Sequence, residues 1–335
     1  DSVQYEELSD FPTTISAHYL PQRVASAYAH NKLQESAVSL AKRTEPMFQD
    51  GKIVWQVARR PNSFWNKQTG NADGFGITNS HGDVYWHRDK MKYGEGMIAS
   101  DSIWWKLKEH RYWSKVTNIY YVLSEGGIIA VAPYLDYSLK FPVMVPHFGG
   151  VLIVHSDGKI ENLKPAEAID HPAIQGIPIF PEELALKYVG AYQLKDGFNN
   201  YYFRHYDQVV TVDVSTHYDF HGKEMPYLLE TNLGQKWFVA TTPWGAKGSH
   251  KLFYVDATTG HTSLYTIGRD NGFIGPKKAL GYIKTAYPQL EWLDMYVLEP
   301  RPITRDSTLY WMYTVTTRDF AGVVDTVLVN SKTSQ

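Results

Sequence analysis

Short runs of β-branched and aromatic residues recur along nearly the whole chain, and many of them end in a cluster of turn-forming residues. The runs at 53–58, 119–123, 128–132, 151–155, 208–214, 237–241, 252–256, 309–316 and 323–329 have the length of strands. Such side chains fit a pleated, half-buried surface. Ser80-His81-Gly82-Asp83, Ser156-Asp157-Gly158 and Thr258-Thr259-Gly260 punctuate the pattern where a hairpin needs residues that tolerate positive φ. The sheets are therefore expected to be mainly antiparallel.

Helical periodicity is rarer. Residues 33–46 place Leu33, Ala37, Leu40 and Ala41 at helical spacing before Pro46. Residues 181–192 open with Pro181, Glu182 and Glu183, which suit the positive end of a helix. Residues 276–287 put Ala279, Leu280, Ile283 and Ala286 on one face ahead of Pro288. Weaker helices are expected at 102–113 and 165–169. Strands that outnumber helices, in sheets each backed by one or two helices, define an α+β class. The expected organisation is a lead segment at 1–33, a first α+β unit at 34–100, a second, β-rich unit at 101–180, and further α+β units over 181–335.

The balance of 33 basic against 35 acidic residues leaves a formal net charge of −2, so no global field gathers nucleic acid and no such partner is expected. Cysteine is absent from all 335 positions, which removes disulfides, thiolate nucleophiles and Cys-ligated metal centres. The sequence contains no nucleophile elbow, HExxH or dinucleotide fingerprint, and no cofactor is expected. A cysteine-free chain suits work outside a reducing compartment, so an extracytoplasmic location is expected. The 24 Tyr, 14 Phe and 10 Trp favour pleated surfaces and contact faces. The chain starts at Asp1 and ends on a strand entering a turn, which suggests a piece of a longer, membrane-anchored parent.

The segment Tyr254-Val255-Asp256-Ala257-Thr258-Thr259-Gly260, with the helix at 279–288 and the strands bearing Trp311 and Val329, resembles PepSY-type modules. These are small extracytoplasmic α+β units whose hairpins often read V-D-x-x-T-G. Residues 326–334 follow the same order of strand, Asn330 and turn. The resemblance covers 181–335 and implies tandem PepSY- or cystatin-like units with a non-catalytic binding, inhibitory or structural role. It carries over no catalytic residue.

Candidate chemistry lies in three places. His217-Tyr218-Asp219-Phe220-His221 would put both imidazoles on one helix face for a metal, with Asp213, Asp219 and Glu224 nearby. The alternation at 209–214 and the following Gly222 favour a strand leaving into a loop, where residues four apart lie about 13 Å from each other. Around Tyr85-Trp86, period two would place Asp83, Tyr85 and His87 on one strand face rather than in a metal cluster with His81 and Asp89. The run from Trp104 to Lys115 interleaves aromatics and bases. As a helix it would bury Ile103, Leu107 and either His110 or Arg111, with Trp104 and Trp113 partly covered; as a contact face it would suit a membrane interface or a glycan. Trp104, Trp105, Trp113 and Trp244, the last in a glycine-containing loop, are the candidate binding residues.

These features together point to a non-enzymatic structural or protein-interaction module of an extracytoplasmic, extracellular or virion assembly, with protein partners or self-association. The alternatives are a metal-dependent hydrolase using His217 and His221, or a glycan-binding protein.

Overall fold

A computed structural model describes residues 3–15, 19–69, 72–205, 209–211, 222–243, 249–268, 273–305 and 308–333. The chain forms two compact units, one of Asp1–Val24 with Ala185–Gln335 and one of Ala25–Leu184. Both are mixtures of mostly antiparallel sheets with few helices.

Strand β1 (Tyr5–Glu7) and helix α1 (Gln22–Lys32) open the chain, and the partition falls inside α1. In the inserted unit, β2 (Val38–Leu40), β3 (Glu45–Gln49) and β4 (Lys52–Pro61) are followed by α2 (Phe64–Thr69), β5 (Phe75–Thr78) and β6 (Val84–His87). They form a sheet of order β2-β4-β5-β6, with β3 also on β4. Helix α3 (Ile103–His110) leads to β7 (Lys115–Val116), β8 (Tyr120–Ser124), β9 (Gly127–Lys140), β10 (Val143–Val154) and β11 (Ile160–Leu163). This second sheet runs β11-β10-β9-β7, with β8 beside β9, and α4 (Pro165–Ile169) follows it.

The expected helix at 33–46 does not form. Val38, Ser39 and Leu40 pair with Pro61, Arg60 and Arg59 of β4, and Glu45 to Gln49 pair with Gln56 to Lys52. Buried Val38 and Leu40 flank half-buried Ser39, so period two governs here, and cross-strand pairing outweighs a weak helical spacing. The helix lies earlier, in α1, where Val24, Ala25 and Ala29 are fully buried at helical spacing.

Period two also organises the core of this unit. Along β9, Ile128, Ala130, Ala132 and Tyr134 join Leu152 and Val154 of β10 in a cluster with Phe75 of β5 and Ile103 and Leu107 of α3. The alternate residues Ile129, Val131, Val151 and Ile153 form a second cluster with Ala168 of α4 and Ile174, Ile177 and Ile179. A sheet buried on both faces needs apolar residues at consecutive positions, which these strands supply.

The other unit adds α5 (Glu182–Ala191), within which the partition falls, α6 (Gly197–Asn199), β12 (Val209–Thr211), β13 (Tyr227–Thr231), β14 (Gly234–Pro243), β15 (Lys251–Asp256) and β16 (Thr262–Thr266). Their sheet runs β1-β16-β15-β14-β12, with β13 on β14; β1 and β16 are parallel. The turn between β15 and β16 is held by Asp256, whose Oδ1 accepts from the N–H groups of Thr258 and Thr259 at 3.0 and 2.8 Å. Helix α7 (Pro276–Ala286) precedes the three-stranded sheet of β17 (Met295–Arg305), β18 (Thr308–Thr317) and β19 (Val323–Asn330). Ala279, Leu280 and Ile283 are buried, and the start of α7 is fixed by the Trp311 indole N–H donating to the Ile274 carbonyl at 2.7 Å.

A buried ion pair sits at a bulge of β17 between Leu298 and Arg301. Glu299 there has φ +43°, left-handed backbone that non-glycine residues seldom adopt. Its carboxylate accepts from Tyr19 Oη and from the Gln22 N–H (2.9 Å), so it caps the start of α1 from a distant strand. Arg301 donates to the Leu228 carbonyl (2.7 Å) and to Glu299 (3.4 Å), and its guanidinium lies over the Tyr19 ring at 3.1 Å. Both side chains are almost fully withdrawn from water, and burial pushes the Tyr19 and Tyr227 phenols well above their ordinary range. Glu299→Gln would leave the Arg301 cation buried without its counter-charge, and urea unfolding is expected to show a loss of about 3–5 kcal/mol.

Candidate functional site

The aromatic and basic run forms α3 because Ile103 and Leu107, one turn apart, are both fully buried and turn the rest of the helix outward. Helix α3 ends at Arg111, whose N–H donates to the Leu107 carbonyl at 3.0 Å. The stripe contains Ile103 and Leu107 as expected, but not its expected third member: His110 is exposed and Arg111, beyond the last helical residue, is half-buried and turned to Asp136. Trp113 departs from expectation: it is 87% exposed, because it lies beyond the helix in the short link to β7. Trp104 is 41% exposed and Trp105 62% exposed, and Tyr112 stands edge-on to Trp113 at 5.2 Å. The structure therefore gathers Trp104, Trp105 and Trp113 in one surface segment.

Asp136 of β9 ties this segment to the second sheet. Its two carboxylate oxygens accept from Arg111 Nη2 and Ser114 Oγ, each at 2.5 Å, while Arg111 Nε donates to Ser114 Oγ at 3.1 Å and the guanidinium covers Tyr134 at 4.7 Å. Asp136 is also where burial along β9 stops. Beyond it, β9 and β10 continue as a two-stranded arm whose tip carries Leu139, Phe141, Val143 and Met144, all exposed, Phe141 to 91%. Strand β7 pairs with β9 only as far as Leu135, and β11 pairs with β10 only from Val151. Among the described residues no strand pairs with either edge of the arm.

A cavity of about 330 Å³ opens beside α3. Gln56, Ala58 and Arg60 reach it as alternate residues of β4, and Ile119 and Tyr121 border the same space. Gln56 is fixed by accepting from the Tyr121 N–H at 2.8 Å and donating to the Ile119 carbonyl at 3.4 Å. Glu95 accepts from Tyr121 Oη at 3.2 Å and is hydrogen-bonded by Trp104. Burial pushes the Glu95 carboxyl up, against the opposing pull of Tyr121, Arg60 and Trp104. Gly96, at φ +79°, leaves room for Arg60, since a Cβ there would stand 2.7 Å from the guanidinium Nε. Exposed Lys42 and Arg43 also line this cavity. A shallower hollow of about 480 Å³ adjoins it, bordered by Trp104, Lys108, Trp113, Lys115 and Tyr137.

His217, His221 and Trp244 lie outside the described residues. His81 and Asp83 belong to the β5–β6 turn, where their N–H groups each donate to Asn79 Oδ1 at 2.9 Å. Among the described residues no group of three or more His, Asp and Glu is placed to hold a metal, and no helix is long and apolar enough to cross a membrane. Sequence reasoning passed over the arm and the cavity. The arm does leave a trace, because Leu139-Lys140-Phe141-Pro142-Val143-Met144 is an apolar run at a hairpin bend where polar turn residues are the norm. No protein-family model, curated protein or solved structure matches the chain.

Because burial raises Glu95, the folded chain retains its proton where the unfolded chain releases it. The stabilisation this gives is complete below the ordinary carboxylate range and is lost as pH rises through the folded value. Glu95→Gln is therefore expected to raise the urea midpoint at about pH 7 and to lose that advantage towards about pH 4, measured as a pH series of unfolding curves.

Proposed function

We propose that this chain is a non-enzymatic interaction module of an extracytoplasmic assembly, and that it associates with a second copy of itself through the β9–β10 arm. The arm carries the proposal because it combines an apolar tip with two unpaired strand edges. Open edges bear N–H and C=O groups that hydrocarbon cannot satisfy, so insertion of the arm into a bilayer would leave several backbone groups without partners. An identical edge supplies both the missing ladder and an apolar cover. Antiparallel pairing of like edges also suits a two-fold dimer, in which the same surface is presented by both copies.

The extracytoplasmic setting rests on the absence of cysteine and on the likeness of 181–335 to tandem PepSY-like units. The Asp256 turn between β15 and β16, and the order of α7 followed by β17, β18 and β19, support that likeness.

Sedimentation velocity over about 1–100 µM is expected to show a concentration-dependent rise in mass for the native chain, and none for the double variant Leu139→Asp/Phe141→Asp. Both positions are exposed, so the variant keeps the fold. A native chain that stays monomeric throughout, or a variant that associates as before, would overturn the proposal.

A further inference from the structure

Two hollows that share Trp104, one edged by cations and one walled by rings, combine features that neither the arm nor the sheets account for. We infer that they form one cleft for an acidic oligosaccharide, with Trp104 as the stacking surface between two sugar positions. This inference concerns the base of the arm, through Tyr137, and not its apolar tip, so it is tested apart from the arm's self-association.

Size comes first. Volumes of about 330 and 480 Å³ fall within the usual range of small-ligand sites, roughly 300–1,000 Å³. Charge selects the ligand's sign. Lys42 and Arg43 have no ion-pair partner among the described residues, and Arg60 adds a third cation to the wall. The two carboxylates of the first hollow accept hydrogen bonds, Glu95 from Tyr121 Oη at 3.2 Å and Glu45 from Asn118 Nδ2 at 2.9 Å, and Arg60 attracts Glu95, so Lys42, Arg43 and Arg60 leave the wall with an excess of positive charge. In the second hollow Lys115 is held by Glu183 at 2.5 Å, whereas Lys108 donates to the Ser114 carbonyl and lies over the Tyr112 ring at 5.2 Å, with no carboxylate partner among the described residues. The positive charge that remains available suits a ligand bearing carboxylate or sulfate groups.

The remaining surface suits sugar rings. Trp104, Trp113 and Tyr137 present broad, partly wetted ring surfaces, against which the C–H faces of a pyranose can be buried while its hydroxyls stay hydrated. Gln56 keeps one amide hydrogen beyond the bond it makes to Ile119, and Glu95 has acceptor capacity beyond its two bonds, so hydroxyls find both donors and acceptors at depth. One recognition group is set in advance, since Gly96 makes the space that Arg60 occupies. Groups already positioned lose little freedom on binding. Single-stranded nucleic acid also combines rings and anions, but the chain as a whole is not basic.

Isothermal titration with tetragalacturonate, cellotetraose and a short oligothymidylate tests the inference on the full chain. Tetragalacturonate is expected to bind with a dissociation constant of about 10 µM to 1 mM, and cellotetraose and oligothymidylate at least about tenfold more weakly. Trp104→Ala is expected to weaken tetragalacturonate binding about tenfold or more. The double variant Lys42→Ala/Arg43→Ala, which alters only exposed side chains and so retains the fold, is expected to lower affinity and flatten its salt dependence. No tetragalacturonate binding, equal binding of oligothymidylate, or affinity unaltered in both variants would overturn it.

Discussion

One antiparallel ladder, β9 with β10, sets the terms for the inserted unit. For half its length each side chain faces one of two apolar clusters, and a slip of one residue would exchange the two sets. The register is therefore fixed from Ile128 to Ala132 by both faces at once. Past Asp136 the side chains join neither apolar cluster, yet the strands continue, because the ladder hydrogen bonds do not depend on what lies above and below them. A rigid core thus holds an uncovered extension in a defined direction.

The network at Asp136 joins this frame to chemistry. Arg111 and Ser114 come from the segment after α3, and the carboxylate that binds them stands on the first half-buried residue of β9 after its buried stretch. The tryptophans of α3 and its link are consequently displayed from the same foundation as the arm. Glu95, reached by both Tyr121 and Trp104, does the same for the cavity, so one helix borders both the ring-lined hollow and the polar one.

Much of the architecture was legible in the sequence where one physical signal dominated. Helices α3, α4, α5 and α7 carry proline or acidic starts or a clear apolar stripe, and each ring-bearing or β-branched run falls on a strand, while several shorter strands went unread. The segment 33–46 misled because Leu33, Ala37, Leu40 and Ala41 satisfy a helical spacing by coincidence, whereas Val38 and Leu40 answer to a partner strand distant in sequence. α1 was overlooked because its buried face is built largely of alanine, which gives little hydrophobic contrast. Of the site, the α3 tryptophans were readable as residues but not as a place. Glu95, Gln56 and Arg60 look like ordinary polar positions until the fold brings β4 and the segment at 95 to one cavity.

The Glu299 bulge has a consequence for the order in which this polypeptide matures. Gln22 meets its capping carboxylate 277 positions later, and Tyr5 waits for Thr262 to extend its sheet. A ribosome therefore releases all of Ala25–Leu184 before the amino-terminal stretch can find its place. During synthesis Tyr5 and Gln22 therefore wait for partners near the other end of the split unit, while the residues of the inserted unit are already all made.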